Sequence, residues 1–295
     1  MNKLWICCFG LVFLASPVCA QDAQWVEWIG DIEFSFGTND NLNVSAFSND
    51  KEDDNLFRVS GTFGRYYQFS GTTRAHIAVG IASEHYSDID LMSNTTTSLD
   101  LGVRHKFGLG FDVPYIQLNL NYQDRNVDAD IRDTDQFAAT IEVGKNLSDR
   151  FSLAGSVTIN SVDGNAGPTI VPGVSNEPFD DDFWTASLFA NYVISEDWLV
   201  SLDYTRRDGD FHSACTPINV AIVLANEQIQ AITLDEAFNG CAYQVDGSAN
   251  IVTASLGYAI SSHSAINLGI QFFGGEADVL SYAGRSFQLS YNYRY

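Results

Sequence analysis

The sequence predicts an all-β fold, a closed antiparallel transmembrane β-barrel of about twelve strands. From Trp28 onward, apolar residues recur at every second position in segments of about ten residues, the period of a strand with one apolar face. No later stretch reaches the ~18 uninterrupted apolar residues that a membrane-spanning helix needs. The connections between segments also alternate between short and long. Together these three observations favour a membrane barrel.

Twelve segments carry the alternation, and each predicts one strand. One apolar position from each is Phe34, Val59, Ile77, Leu101, Leu118, Ile141, Val157, Leu188, Leu202, Leu256, Leu268 and Leu289. Arg65 and His105 fall on the apolar face, which predicts a bulge near each of them. Gly, Ser, Thr, Asn and Gln dominate the opposite face, a composition that suits a wet, confined lumen.

The connections predict how the chain crosses the membrane. Short ones lie near residues 70–73, 108–113, 146–150, 195–197 and 261–263, and long ones near 47–54, 88–95, 125–134, 163–182, 208–247 and 276–285. Short periplasmic turns that alternate with long outer loops are typical of outer-membrane barrels. Five turns and six loops predict twelve strands with both termini on the periplasmic side.

Residues 1–20 predict a cleaved secretory signal peptide. A positive start at Lys3 precedes an apolar run over 4–14, and Val18-Cys19-Ala20 offers a small-residue cleavage site. We therefore divide the chain into a signal peptide, 1–20, and one barrel domain, 21–295.

The last residues of the chain alternate strictly and end on an aromatic side chain. The apolar positions are Phe287, Leu289, Tyr291, Tyr293 and Tyr295. This stretch resembles the C-terminal assembly signal of bacterial outer-membrane β-barrel proteins. The resemblance implies a porin-like protein in the outer membrane of a Gram-negative bacterium, surrounded by lipid and recognised by the barrel-assembly machinery.

The first predicted strand carries a second, looser resemblance. Residues 30–41, from Gly30 to Asn41, are similar to the first strand of the barrel domain of surface lipoprotein assembly modifiers. This chain lacks the helical-repeat region that precedes those barrels, so the resemblance implies the barrel class alone.

The two cysteines beyond the signal peptide, Cys215 and Cys241, predict one disulfide in an oxidising compartment. They flank a stretch in which Ile222, Ala225 and Ile229 recur at helical spacing. An apolar helical face requires cover, so we expect this segment to cap the barrel mouth, enter the lumen or meet a partner. The pattern is consistent with a loop that the disulfide only cross-links and with a loop that also constricts the mouth.

The formal net charge of −22 excludes electrostatic binding of nucleic acid. Twelve charged residues nevertheless fall on the lumenal face as candidate pore-lining residues, six acidic and six basic. They are Asp31, Glu33, Glu84, Asp100, Glu142 and Asp203, with Arg58, Arg74, Arg104, Lys106, Arg207 and Arg294. The negative excess is therefore predicted in the outer loops, where it should concentrate cations in dilute salt.

These observations predict a passive channel for small polar or cationic solutes. The alternative is a non-conducting structural barrel whose acidic loops bind cations or surface partners. Twelve strands lie between the filled barrels of ~8 strands and the open porins of ~16, so the strand number does not decide between them.

One acidic loop could hold a cation. Asp128, Asp130, Asp133 and Asp135 could present several carboxylate oxygens to Ca²⁺, which prefers such ligands. The glycine and terminal glutamate of an EF-hand are missing, so a solvated acidic loop is the competing interpretation. No other cofactor is expected.

A remote alternative is proteolysis. Asp88-Ile-Asp90 and Asp210-Phe-His212 resemble the Asp pair and the Asp-x-His of the omptin proteases, and the resemblance implies that they would activate water. The flanking sequences differ, and omptins have ten strands. We therefore do not expect an enzyme.

Overall fold

The computed structural model describes residues 23–295, so the predicted signal peptide lies outside the described residues. Most of the described residues lie in β-strands. Its one α-helix is short, and no helix within residues 23–295 has the length and hydropathy to cross a membrane.

Thirteen strands make up the described chain. They are β1 (Gln24–Asn39), β2 (Asp54–Gln68), β3 (Thr73–Tyr86), β4 (Asn94–Lys106), β5 (Tyr115–Val127), β6 (Thr134–Asn146), β7 (Phe151–Gly164), β8 (Asp181–Val193), β9 (Trp198–Cys215), β10 (Ala231–Asp235), β11 (Gly240–Ser261), β12 (Ser264–Ala277) and β13 (Leu280–Arg294). Helix α1 spans Val220–Asn226, and single 3₁₀ turns occupy Asp90–Met92 and Asp130–Arg132.

Twelve of these strands form the barrel wall, as predicted. Each pairs antiparallel with its neighbour, β1 joins β13, and β9 joins β11 to complete the ring. A closed ring leaves no unpaired edge, which is required where lipid offers no hydrogen bonds. Strand β10 pairs only with β11 and is not part of the wall.

The alternation places apolar residues outside and small polar residues inside. On β1, Phe34 and Phe36 are 45% and 50% exposed, whereas Ser35 between them is 2% exposed. On β13, Leu289 is exposed and Ser290 is buried in the same way. The exterior is therefore the apolar surface of a membrane barrel, and the interior is narrow and polar.

The two charged residues predicted on the apolar face behave differently. Arg65 faces outward near the periplasmic end, and its guanidinium lies 4.5 Å from the ring centroid of Trp28. A bulge lies beside this contact, between Trp25 and Trp28 of β1. The bulge predicted near His105 is wrong, because the strand pairing there is regular on both sides. The His105 imidazole Nδ1 and the Thr73 hydroxyl, 2.8 Å apart, form a hydrogen bond between the paired strands.

The short turns occur where predicted, but three outer connections differ from expectation. The connection predicted at 47–54 spans 40–53, because β1 ends at Asn39. The connection predicted at 276–285 contains only Asp278 and Val279, because β12 and β13 continue above the membrane as a hairpin. The connection predicted at 208–247 is shortened to 216–239, because β9 and β11 also extend.

Residues 216–239 form less helix than their spacing predicts. Helix α1 ends at Asn226, and Ala231–Asp235 instead forms β10. The reason is an open strand edge: β12 pairs with β11 only from Ser248 onward, so residues 240–247 of β11 have no partner on that side. Strand β10 occupies that edge over residues 240–244 and satisfies its hydrogen bonds.

Three outer loops pack together into one layer, which we call the cap: residues 40–53, 165–180 and 216–239. Val223 and Ile232 of the cap are 0% and 1% exposed and pack with Tyr243 and Tyr282 of the extended hairpins. Residues 44–47 and 170–174 contribute further apolar contacts. The apolar segment between Cys215 and Cys241 is thus packed against other residues. This confirms the prediction that it must be covered, for which capping of the barrel mouth is one of the expected arrangements.

The structure also pairs Cys215 with Cys241, as predicted. Their Cα atoms are 5.1 Å apart, at opposed positions of β9 and β11. A link across 26 residues stabilises by about 3.5 kcal/mol if it acts by restricting the unfolded chain.

We expect thiol labelling of the denatured, unreduced protein to find neither Cys215 nor Cys241 reactive. After reduction, both should label. As a control, Ser213→Cys adds one cysteine two positions from Cys215 on the same strand, and that thiol should label without reduction. Labelling of both native cysteines before reduction would contradict the pairing.

Candidate functional site

The lumen contains three cavities. The periplasmic one has a volume of about 630 Å³ and is lined by Asp31, Glu33 and Arg294. A middle one of about 340 Å³ lies beside Asp100. The third, of about 380 Å³, lies beneath the cap and is called here the outer chamber. The middle cavity shares β1 and β2 with the periplasmic one and β2 to β5 with the outer chamber, so the barrel interior is not filled by side chains.

All twelve predicted lining residues lie on the strand face opposite to the exposed apolar residues. Seven of them border the three cavities: Asp31, Glu33 and Arg294 in the periplasmic one, Asp100 in the middle one, and Arg58, Glu84 and Arg207 in the outer chamber. The other five, Arg74, Arg104, Lys106, Glu142 and Asp203, border none of the three.

Near the periplasmic end, the charged residues are paired across strands. Arg294 Nε donates to Asp31 Oδ1 at 2.7 Å, and the two residues are direct partners where β13 closes on β1. The guanidinium of Arg74 lies 4.6 Å from the Tyr66 ring centroid. These contacts hold long side chains against the wall rather than across the lumen.

In the periplasmic half of β3 to β6, aromatic and histidine side chains connect the charges. His76 forms a hydrogen bond with Asp100. On the neighbouring strands, the guanidinium of Arg104 stacks 3.5 Å from the ring centroid of Tyr115. The Tyr115 hydroxyl donates to Glu142 Oε1 at 2.7 Å. Acidic and basic side chains in this part of the lumen are thus connected over short distances, with an aromatic ring between Arg104 and Glu142.

The outer chamber brings together residues from β2 to β9. Arg58 of β2 donates to Glu84 Oε1 at 2.8 Å, and Asn94 of β4 donates to Glu84 Oε2 at 3.0 Å. Arg125 of β5 and Arg207 of β9 line the chamber from other walls.

On the β8–β9 wall of the chamber, Asp181 is the central acceptor. Its Oδ2 is 2.9 Å from His212 Nδ1 and 3.7 Å from Arg207, and its Oδ1 accepts a hydrogen bond from Gln244 at 3.1 Å. Arg207 stacks on the Phe183 ring at 3.6 Å and donates to a backbone carbonyl at 2.5 Å. Although Asp181 belongs to a predicted acidic outer loop, it is 3% exposed and engaged within the protein.

A buried ion pair fastens the cap, and we call it the latch. Arg132 donates to both carboxylate oxygens of Asp235, at 3.2 and 2.5 Å. The guanidinium also lies between Phe179 and Phe238, 4.7 and 4.9 Å from the ring centroids. The side chains of Arg132 and Asp235 are only 10% and 0% exposed.

The cap crosses the barrel mouth. Ala237 and Phe238, at the turn that leads into β11, pack against Tyr86 of β3 and Val127 of β5. Strands β3 and β5 each lie five strands from β11 in the ring, in opposite directions. A segment that begins at β11 and contacts both must therefore reach the far wall.

Comparison with protein-family models gives no match, and neither does comparison with curated proteins. Solved structures do match. An outer-membrane channel from Pseudomonas putida F1 matches with a TM-score of 0.52 and 11% identity, over 95% of this chain and 97% of its own. The porin NanC matches with a TM-score of 0.48 and 8% identity, over 89% of this chain and 98% of its own.

At these identities the likeness shows the fold. The fold is that of an outer-membrane β-barrel. Together with the apolar exterior, it places the protein in the bacterial outer membrane.

The predicted calcium ligands do not converge. Asp133 accepts a hydrogen bond from the backbone N–H of Val127 at 2.7 Å, and Asp135 accepts one from the Tyr122 hydroxyl at 2.6 Å. Within residues 23–295 no group of three or more His, Cys, Asp or Glu is arranged to hold a metal ion. Calcium binding at Asp128, Asp130, Asp133 and Asp135 stays a prediction from sequence.

The two pairs that resemble omptin residues are also separate. Asp88 and Asp90 follow β3, whereas Asp210 and His212 lie on β9, six strands away. His212 is hydrogen-bonded to Asp181, and no hydrogen bond or ion pair joins the two pairs in the part of the chain that the structure describes.

Acidic groups crowd the outer rim. Burial raises the pKa of Asp180 above its ordinary value, and the nearby carboxylates of Asp163 and Glu177 raise it further. Burial likewise raises the pKa of Glu227, whose Oε1 accepts the backbone N–H of Leu280 at 2.7 Å. The carboxylates of Asp163, Glu177 and Asp180 therefore lie close enough to interact at the rim.

Sequence reasoning missed three arginine and histidine positions in this region: Arg125, Arg132 and His212 as chamber residues. Arg125 continues the inward alternation of Asn121 and Gln123, so a longer fifth strand would have included it. Nothing in the sequence marks Arg132, because its partner Asp235 is 103 residues away.

Asp235→Asn should loosen the latch, because it leaves the Arg132 charge buried and unpaired, at a cost of about 3–5 kcal/mol. We expect faster amide hydrogen exchange over residues 231–235, measured by mass spectrometry on the folded barrel. The matched control is Asp40→Asn, which breaks the exposed pair with Arg285, worth about 0–1 kcal/mol. Equal protection of residues 231–235 in both variants would contradict the latch.

Proposed function

We propose that this protein is a passive outer-membrane channel for small polar solutes whose outer mouth is constricted by the cap. The observation that carries this proposal is the presence of three cavities in a polar lumen. A barrel that served only as a structural wall would gain stability by filling that space with side chains.

The second candidate is a non-conducting barrel, and the cap favours it. Val223 and Thr233 of the cap are fully buried, and Thr233 donates to the Pro168 carbonyl at 2.8 Å, which ties two loops together. A cap packed this well covers the mouth in the conformation described. The two candidates differ in whether solute passes the cap.

The charge of the outer rim affects which solutes reach the mouth of the barrel. Exposed carboxylates such as Asp53 and Asp182 extend a negative field by about 30 Å at 0.01 M salt and about 3 Å at 1 M. Asp50 and Asp54, by contrast, are 4% and 3% exposed and accept hydrogen bonds from neighbouring loops. The field at the mouth is therefore weaker than the loop sequence predicts, and small cations are favoured there only in dilute salt.

We expect discrete conductance steps from the purified barrel in a planar bilayer. Asn292→Cys places a thiol in the periplasmic cavity, and a water-soluble methanethiosulfonate reagent should lower its single-channel conductance because the adduct occupies the lumen. The matched control, Tyr291→Cys, places the thiol on the lipid side and should leave the conductance unchanged.

Asp235→Asn extends this test to the cap. If the cap limits passage, this variant should spend more time in open states than the wild type. Absence of discrete conductance from folded preparations of both would reject the channel and favour the non-conducting barrel.

The closing strand supports a further part of the proposal, recognition by the barrel-assembly machinery. The Tyr295 N–H donates to the Gly30 carbonyl at 2.8 Å, while the side chain is 84% exposed. The aromatic ring therefore contributes little packing to the barrel and is free to be recognised.

Tyr295→Asp should lower the amount of folded barrel in the outer membrane and leave export to the periplasm intact. Tyr295→Phe is the control and should assemble normally, because it retains the aromatic ring. The measurement is heat-modifiable gel migration of the membrane fraction. Normal assembly of the Asp variant would show that the terminal aromatic is not a signal.

A further inference from the structure

The outer chamber carries an excess of positive groups. Arg58, Arg125 and Arg207 line it from three walls, and Arg132, which pairs with Asp235 of the cap, also lines it. Only two carboxylates, Glu84 and Asp181, share that lining. The excess contrasts with the acidic rim outside and with the balanced charges predicted for the lumen as a whole.

Both chamber carboxylates are already committed to protein partners. Glu84 accepts one hydrogen bond on each oxygen, from Arg58 and Asn94. Asp181 does the same with Gln244 and His212. A cation entering the chamber would have to displace these donors, so the chamber offers a cation no free ligand of opposite charge.

Several positive donors, in contrast, are unused. The guanidinium of Arg125 makes no hydrogen bond or ion pair with any residue of 23–295. The Nε atoms of Arg58 and Arg207 are shielded from solvent and also have no partner among these residues. The guanidinium groups of the other three arginines have protein partners: Glu84 for Arg58, Asp181 and the Asp210 carbonyl for Arg207, and Asp235 for Arg132. Arg125 is therefore the arginine whose guanidinium is free to bind an acceptor in the chamber.

The remaining lining suits a hydroxylated molecule. Amide and hydroxyl side chains from neighbouring strands face the same space: Asn94, Thr96, Gln123, Thr134 and Gln136. The volume of about 380 Å³ falls in the range of small-molecule pockets, roughly 300–1,000 Å³.

We infer that the outer chamber is a binding subsite for a small hydroxylated carboxylate, with Arg125 as the main contact to its charged group. The guanidinium fork of Arg125 matches a carboxylate in geometry and charge. Donors of Arg58 and Arg207 would approach the same group from the other walls, while the amides and hydroxyls would bind its hydroxyl groups. This inference rests on the proposed channel, since the solute must reach the chamber through the lumen.

Calorimetric titration of the folded wild-type barrel in detergent, at low ionic strength, tests the inference with D-gluconate as the probe. D-Glucose, of similar size and uncharged, is the control ligand. We expect saturable gluconate binding and at least tenfold weaker glucose binding. Arg125→Gln should weaken gluconate binding about tenfold to a hundredfold, the typical range for loss of a charged hydrogen bond.

Lys106→Gln removes the same charge from a lumenal position outside the chamber and should leave gluconate affinity unchanged. Heat-modifiable gel migration confirms that each variant is folded. No saturable binding by the wild type, equal binding of glucose, or equal loss in both variants would overturn the inference. Because the titration requires no conduction, binding without conductance would reject only the channel, and conductance without binding would reject only the subsite.

Discussion

The structure depends on one constraint, that every backbone N–H and C=O inside the membrane must be paired within the barrel. Twelve strands meet this requirement by closing on themselves, and the closure joins β13 to β1. The period-two alternation then decides which side chains face outward, which is why Ser35 is buried between exposed Phe34 and Phe36.

Above the membrane the same requirement produces the cap. Strand β11 extends past the end of its pairing with β12, and its free edge binds β10. This pairing holds the chain between Cys215 and Cys241 in place and presents Asp235 to Arg132 on the far side of the mouth. The strand that pairs with this free edge thereby becomes part of the layer that covers the barrel mouth.

Charge is separated by depth in this molecule. Exposed carboxylates lie on the rim, whereas acidic residues deeper in the structure, such as Glu84 and Asp181, are used as acceptors by neighbouring side chains. Arginine is then left as the unpaired charge beneath the cap, at Arg125. Net charge alone, strongly negative over the whole chain, therefore describes the approach of a solute but not the chemistry that it meets inside.

The sequence by itself determined the barrel, its twelve strands, the face of each lumenal charge and the pairing of Cys215 with Cys241. These are properties of local periodicity and of the number of cysteines, which neighbouring residues along the chain specify. Only the tertiary structure decided that residues 231–235 form a strand, that Arg132 meets Asp235, and that the outer chamber is basic. Those outcomes depend on which strand edge is left open and on contacts between residues far apart in sequence. Such features produce no periodic pattern in the sequence.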